Sequence, residues 1–267
     1  MKKTIKLLVF AVFAYAIFLI VTLPANRLYQ FFAEHIPASV KFYGLSGTVW
    51  NGEAELATLA SQQYRNASWQ FQWAELLKGK VIVKLDFDNG QSLIKGNAGI
   101  DVFGNYIAQD LFLQQELADI QALAQVSPVT VGGKLGGKIE ELIFKSSRIS
   151  SAVANFNIID TAFLLPRRTP WGSFKVDITS PEGVTNIKIK DQGGPLLADG
   201  VITVDDAGAY DVNLAVETSR TASRDLIRGL QFLGRPGSDG KTRLAYKGNL
   251  QQLLGGQAQS SAKADPT

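Results

Sequence analysis

Lys80-Val-Ile-Val-Lys-Leu-Asp-Phe87 is the stretch that decides the class of fold. Apolar and polar residues alternate along it, the period of a strand with one buried and one wet face. Asp88-Asn89-Gly90 follows, a turn tripeptide that sends the chain back. The same alternation returns in Asn97–Val102, Phe174–Ile178, Thr185–Lys190 and Tyr210–Val216, with Pro181-Glu-Gly183 and Asp206-Ala-Gly208 as further turns. A parallel sheet would need longer apolar runs and crossover helices, so the expectation is an antiparallel meander.

Working outward, the chain reads as though it contains itself twice. Gly44-Leu-Ser-Gly-Thr-Val-Trp-Asn-Gly-Glu-Ala-Glu-Leu56 lies over Thr130-Val-Gly-Gly-Lys-Leu-Gly-Gly-Lys-Ile-Glu-Glu-Leu142, and Lys95–Tyr106 lies over Asp199–Tyr210. A helix follows each copy: Gln114–Gln125, with Leu117, Ile120 and Leu123 in step, and about Ala222–Leu233, capped by Ser223 or Thr221 and ended by Gly234. Two modules set side by side extend one sheet over a shared core. The expected segments are a first β module over 39–128, a second over 129–254 and a polar, disordered tail over 255–267.

The N-terminus sets the compartment. Lys2, Lys3 and Lys6 precede an uncharged apolar run, Leu7–Leu23. The exit Leu23-Pro24-Ala25 fits a signal-peptidase site poorly, so an uncleaved anchor over 7–24 is favoured over a cleaved signal. A buried core helix is disfavoured because the run has no polar face. The preceding lysines place residues 1–6 in the cytoplasm and the rest across the membrane. Residues 25–38 read as an amphipathic linker, with Leu28, Phe31, Phe32 and His35 at helical spacing and Pro37 as its stop. It either lies at the bilayer surface or covers one end of the folded domain.

Composition narrows the function. Of 267 residues, 46% are hydrophobic and 19% charged, which excludes a disordered chain. Cysteine is absent and His35 stands alone, removing thiol nucleophiles, cysteine-based metal sites and a metal or catalytic role for a second histidine. A net charge of +3 gives no nucleic-acid footprint. The carboxylates Asp86, Asp88, Asp101, Asp177, Asp205 and Asp206 show no spacing that selects a pair, and there is no P-loop, dinucleotide fingerprint or nucleophile elbow. The reading is a non-enzyme without catalytic residues, cofactor or metal.

Two residue sets remain as interaction candidates. Arg220, Arg224 and Arg228 fall at four-residue spacing on the second helix, suited to an acidic partner or to lipid headgroups, against the plainer reading of a solvated face. Trp69, Phe71 and Trp73 share one strand face, which serves either as core or, if open, as groove aromatics. Arg243 and Tyr246 lie on the last strand, Arg243–Gly248, whose unpaired edge offers backbone groups to a partner strand.

With the basic N-terminus and single apolar run in place, three segments carry a resemblance. They are Leu45-Ser-Gly-Thr-Val-Trp-Asn-Gly-Glu-Ala54, Trp69 through Leu76-Leu-Lys-Gly79, and Gly234-Arg-Pro-Gly-Ser-Asp-Gly-Lys-Thr-Arg-Leu-Ala-Tyr-Lys-Gly-Asn-Leu250. In order and spacing the chain resembles protein N of the type II secretion system of Gram-negative bacteria. The resemblance implies a single-pass inner-membrane protein with a periplasmic β-rich domain, within machinery that exports folded proteins across the outer membrane. Its implied partners are the bilayer and other secretion subunits, of the inner-membrane platform or the outer-membrane secretin complex. The expected fold is therefore mainly β: a transmembrane helix, then an antiparallel, internally duplicated, Gly-rich sheet, an open groove or half-barrel with short covering helices. The expected role is a scaffold. The alternative, suggested by a looser architectural likeness to inner-membrane proteins with long lipid-carrying β-grooves, is a periplasmic lipid-binding module.

Overall fold

A computed structural model describes residues 2–32, 36, 40–59, 62–124, 131–145, 148–164 and 168–249. Among them thirteen strands form one sheet in which every neighbour in space is the neighbour in sequence. The first six are β1 (Val40–Gly47), β2 (Asn51–Leu59), β3 (Gln62–Phe71), β4 (Lys80–Asp88), β5 (Leu93–Asp101) and β6 (Tyr106–Glu116). The rest are β7 (Val131–Lys145), β8 (Arg148–Phe163), β9 (Thr169–Thr179), β10 (Thr185–Asp191), β11 (Leu196–Val204), β12 (Ala209–Thr218) and β13 (Thr242–Asn249). All twelve pairings are antiparallel. The meander read from the alternation is the fold.

Short polar turns explain the strict order. The Asp88 carboxylate accepts the Gly90 N–H at 2.7 Å, and Asn89 Oδ1 accepts the N–H of Ser92 at 2.6 Å. These bonds pre-form the reversal and leave no room for a crossover. Asp101 and Asp205 build one and the same turn: Asp101 Oδ1 accepts from Phe103 and Asn105, and Asp205 Oδ1 accepts from Ala207 and Ala209. These lie at equivalent places in the aligned pair Lys95–Tyr106 and Asp199–Tyr210. The other aligned pair is not equivalent. Gly44–Leu56 spans the β1–β2 hairpin, whereas residues 131–142 run straight along β7. Within β7, Gly137 serves close approach: a Cβ there would collide with the Asn155 carbonyl and the Phe156 ring of β8.

Among the described residues five α-helices accompany the sheet. α1 (Lys2–Val21) and α2 (Ala25–Phe32) precede it, α3 (Trp73–Leu76) is a single turn before β4, α4 (Leu117–Ala124) follows β6, and α5 (Arg224–Leu233) precedes β13. The Ser223 hydroxyl caps α5 by accepting the Leu226 N–H at 3.2 Å, and Gly234 ends it. α4 starts three residues later than expected because β6 runs on to Glu116. Gln125, the expected end of that helix, His35 and Pro37 of the linker, and the expected tail over 255–267 lie outside the described residues.

The expectation of a transmembrane span at 7–24 is not met as stated. Among the described residues no helix is long and apolar enough to cross a membrane. The helix stops at Val21, where the Thr22 hydroxyl bonds back to the Phe18 carbonyl at 2.7 Å. Pro24 then forces Leu23 out of helical geometry. After Lys6 the uncharged helix is about 22 Å long at 1.5 Å per residue, shorter than a hydrocarbon core of about 30 Å.

The sheet curls. A side-chain hydrogen bond joins Tyr64 on β3 to Gln115 on β6, Nε2 to hydroxyl, at 2.6 Å. Strands three apart in a flat sheet stand about 14 Å from one another, a gap that side chains standing off the sheet close when the face folds inward. Irregular pairing between β3 and β4, β5 and β6, β7 and β8, and β8 and β9 supplies the bend. Two clusters form inside the curl. One gathers Ala54, Ala57, Tyr64, Ala67 and Phe87 under Phe42, Leu45 and Trp69. The other gathers Phe174, Ala198 and Val216 under Trp171, Leu244 and Leu230 of α5.

Candidate interaction surface

Register places the side chains of the whole sheet on two chemically opposite faces. Starting from Phe42, the matched positions run through Ala57 and Tyr64, then from Leu85 and Phe87 to Ile94 and Leu113. From Leu111 the path continues through Ile139 and Ala154 to Ile178, Ile187, Ile202, Val212 and Tyr246. One apolar face thus extends without interruption from β1 to β13. The opposite face carries the ion pairs: Lys95–Asp86 at 2.6 Å, Lys134–Glu116 at 3.6 Å, Lys175–Asp177 at 3.1 Å and Lys247–Asp211 at 2.9 Å. These exposed pairs contribute little stability but make that face permanently wet. The Asp86 carboxylate, by hydrogen bond and by charge, raises the Lys95 ammonium above its ordinary pKa.

The apolar face is only partly covered. α5 lays Leu226 and Leu230 over its β9–β13 end, and α2 covers its first strand. Between α2 and β1–β3 lies a cavity of about 270 Å³ lined by Ala25, Leu28, Tyr29, Phe42, Leu45 and Trp69 among others. Both polar groups of its aromatic lining are hydrogen-bonded to backbone. The Tyr29 hydroxyl accepts the Phe42 N–H at 3.2 Å, and the Trp69 indole N–H donates to the Val49 carbonyl at 2.9 Å. What remains to line the space is hydrocarbon and ring surface.

The cavity sits at the foot of α1. The Trp50 indole donates to the Ile20 carbonyl at 2.7 Å, Val49 N–H donates to Leu23 O at 3.0 Å, and Pro24 bridges Thr48. α1 is thereby tied to the β1–β2 turn by three backbone-directed contacts.

The residues singled out from sequence do not all converge. Trp69 is half-buried on the apolar face and Phe71 is buried, but Trp73 is not on their strand: β3 ends at Phe71 and Trp73 opens α3, half exposed, its ring tilted against Trp50 at 5.0 Å and edge-on to Phe71 at 4.7 Å. The three arginines are exposed, yet only Arg224 and Arg228 are on α5; Arg220 lies in the preceding turn, because Ser223 caps the helix after it. Arg243 is held by Asp239 at 2.6 Å, which also keeps the Asp239 carboxyl below its ordinary range. Tyr246 stands on the apolar face of β13, half exposed. The cavity residues on α2 and β1 escaped the sequence reading, although the amphipathic pattern of Leu28 and Phe32 marks that helix as covering something. Among the described residues no group of three or more metal-ligating side chains converges.

A family model described as "Type II secretion system (T2SS), protein N" matches residues 38–245, the whole sheet up to the middle of β13. The chain belongs to that family. A curated relative, "Type II secretion system protein N" of Aeromonas hydrophila, is 23% identical over 259 residues, covering 94% of this chain and 100% of that protein. No solved structure matches. The family model begins just before β1 and leaves α1 and α2 outside its match.

Proposed function

We propose that the chain is an inner-membrane-anchored, periplasmic component of the type II secretion machinery, acting through protein–protein contacts in the export of folded proteins across the outer membrane. The observation that carries this reading is the family match over 38–245. The fold supplies a physical means. β1 and β13 end the sheet without a further strand among the described residues, and such edges recruit a partner strand through backbone hydrogen bonds. The contact elements on this reading are β13, with Arg243 and Tyr246, and the exposed Arg220, Arg224 and Arg228. The partners are other secretion subunits, of the inner-membrane platform or the secretin complex.

Anchoring is part of the proposal. From Leu7 to Val21 the side chains of α1 are exposed all round, Leu7 and Phe10 at 70% and Phe18 at 61%. A helix apolar on every side has no aqueous home. A span somewhat short of the bilayer is accommodated by local thinning and by flanking lysines reaching to the interface. The N-terminus is then cytoplasmic and the sheet periplasmic. The division into modules over 39–128 and 129–254 is proposed on the two separate core clusters and the paired Asp101 and Asp205 turns.

The test is deletion of the gene, followed by assay of secreted enzymes. The reading predicts folded enzymes retained in the periplasm; unimpaired export refutes it. Alkaline extraction of membranes tests the anchor, which predicts retention in the pellet at full length. The continuous apolar face favours a second reading, a lipid-binding module, which predicts phospholipid co-purifying with the chain.

A further inference from the structure

We propose that the cavity between α2 and β1–β3 seats the end of one phospholipid acyl chain drawn from the bilayer that holds α1. This deepens the lipid-binding reading and rests on the anchoring of α1.

Three observations select the occupant. The Trp69 indole N–H is donated to the Val49 carbonyl and the Tyr29 hydroxyl is held by the Phe42 N–H, so a polar guest would be desolvated with one phenolic O–H to pair with. A volume of about 270 Å³ falls below the ~300–1,000 Å³ of sites that enclose a whole drug-sized ligand, which suits the end of one chain. The position is the third. The cavity begins where α1 ends, with Ala25 and Leu28 only a few residues past Val21, and the contacts of Trp50, Val49 and Pro24 hold the two together. α2 also carries apolar side chains at exposed positions, Phe31 at 81% and Phe32 at 53%, beside the polar Asn26, Arg27 and Gln30. A helix with apolar side chains inward and outward rests at a lipid surface, and the chain it admits has only the depth of the interface to travel. From the cavity, Phe42 and Leu45 lead directly onto the apolar face of the sheet.

Neighbouring positions on β1 provide the test, because Phe42 lines the cavity and Tyr43 points to the opposite face, half exposed. The full chain carries p-benzoylphenylalanine in place of either residue. It is reconstituted in phosphatidylethanolamine vesicles containing phosphatidylglycerol with an alkyne-tagged acyl chain, and irradiated. The expected result is a lipid adduct at position 42 and none above background at position 43. Ala25→Leu, which fills the cavity from α2, is expected to abolish the adduct at 42 while leaving the urea midpoint unlowered. Equal labelling at both positions, an adduct unaffected by Ala25→Leu, or an adduct only to another polypeptide overturns the proposal. Alkaline extraction separates this outcome from the anchor reading: a chain retained in the membrane that gives no adduct ends the acyl site and leaves the anchor standing.

Discussion

The inward curl of the sheet has a measurable energetic signature in the pair Tyr64–Gln115. Tyr64 is 1% exposed, and burial raises its hydroxyl pKa, so it stays a neutral phenol across the physiological range. Its oxygen takes the Gln115 Nε2 at 2.6 Å across three strand steps. Removing one partner of a buried, neutral hydrogen bond costs about 1–2 kcal/mol, and the bond itself contributes about 0.5–1.5 kcal/mol. Tyr64→Phe and Gln115→Leu are therefore each expected to lower stability by about 1–2 kcal/mol, and the double variant to lose less than the sum by about 1 kcal/mol. The assay is urea unfolding of the full chain in detergent, followed by tryptophan fluorescence, for the four members of the cycle. In a flat sheet the two side chains would start from strands about 14 Å apart, and sites beyond about 7–10 Å add to within roughly 0.3–0.5 kcal/mol. Additivity within that margin refutes the curl and, with it, the enclosed first cluster.

Four further outcomes follow from named contacts. Gly137→Val drives a side chain into the Asn155 carbonyl and is expected to cost at least about 1–3 kcal/mol, the usual toll of overpacking, read as a lowered urea midpoint; Gly136→Val, with open space at its Cβ, is the milder companion. Ser223→Ala removes the cap from α5 and is expected to cost about 1 kcal/mol, with Ser223→Asp restoring it. The Asp239 carboxyl, held below its ordinary value by the Arg243 hydrogen bond, is expected to titrate by NMR with a midpoint below that of an ordinary aspartate. Because the folded value is the lower one, whatever stability this pair contributes is present above the unfolded pKa and is lost as pH falls through the folded pKa. Arg243→Gln is expected to return the midpoint toward the ordinary value. Backbone donors of β13 alternate between β12 and the open edge, so Ala245→Pro and Leu244→Pro between them remove one outward N–H, and one of the two is expected to abolish pull-down of secretion subunits; retained capture with both counts against edge docking.

Much of the sheet was legible because its information is local. The alternation in Lys80–Phe87 and the Asp88-Asn89-Gly90 turn specify a strand and its reversal without reference to anything distant, and β4 runs Lys80–Asp88 as that predicts. Where several neighbouring segments behave so, a sequential meander follows. What escaped was decided at long range. The stretch 130–142 aligns with the hairpin sequence of 44–56, yet residues 131–142 run inside the fifteen-residue strand β7, where the backbone of β8 closes on Gly133 and Gly137. The length of α1 was overread because Leu23 counts as apolar in a composition window while Pro24 ends the helix before it. Trp73 was assigned to the face of Trp69 by parity, which fails once the strand gives way to α3. Arg220 was placed on the α5 ridge by spacing alone, although Ser223 caps the helix downstream of it. The cavity under α2 depends on the packing of that helix against β1, a contact no periodicity reports.

The central claim is that one face of an open sheet is apolar from end to end while the other is wet. The chain has no cysteine, so single cysteines on β12 can report this directly: Val212 and Leu214 on the apolar face, Asp211 and Asn213 on the other. Each is labelled with a polarity-sensitive dye in the full chain, and emission is compared with and without added phosphatidylglycerol vesicles. The account predicts a blue shift at 212 and 214 relative to 211 and 213, deepening with vesicles at the apolar positions alone. Emission that does not alternate along the strand would contradict it.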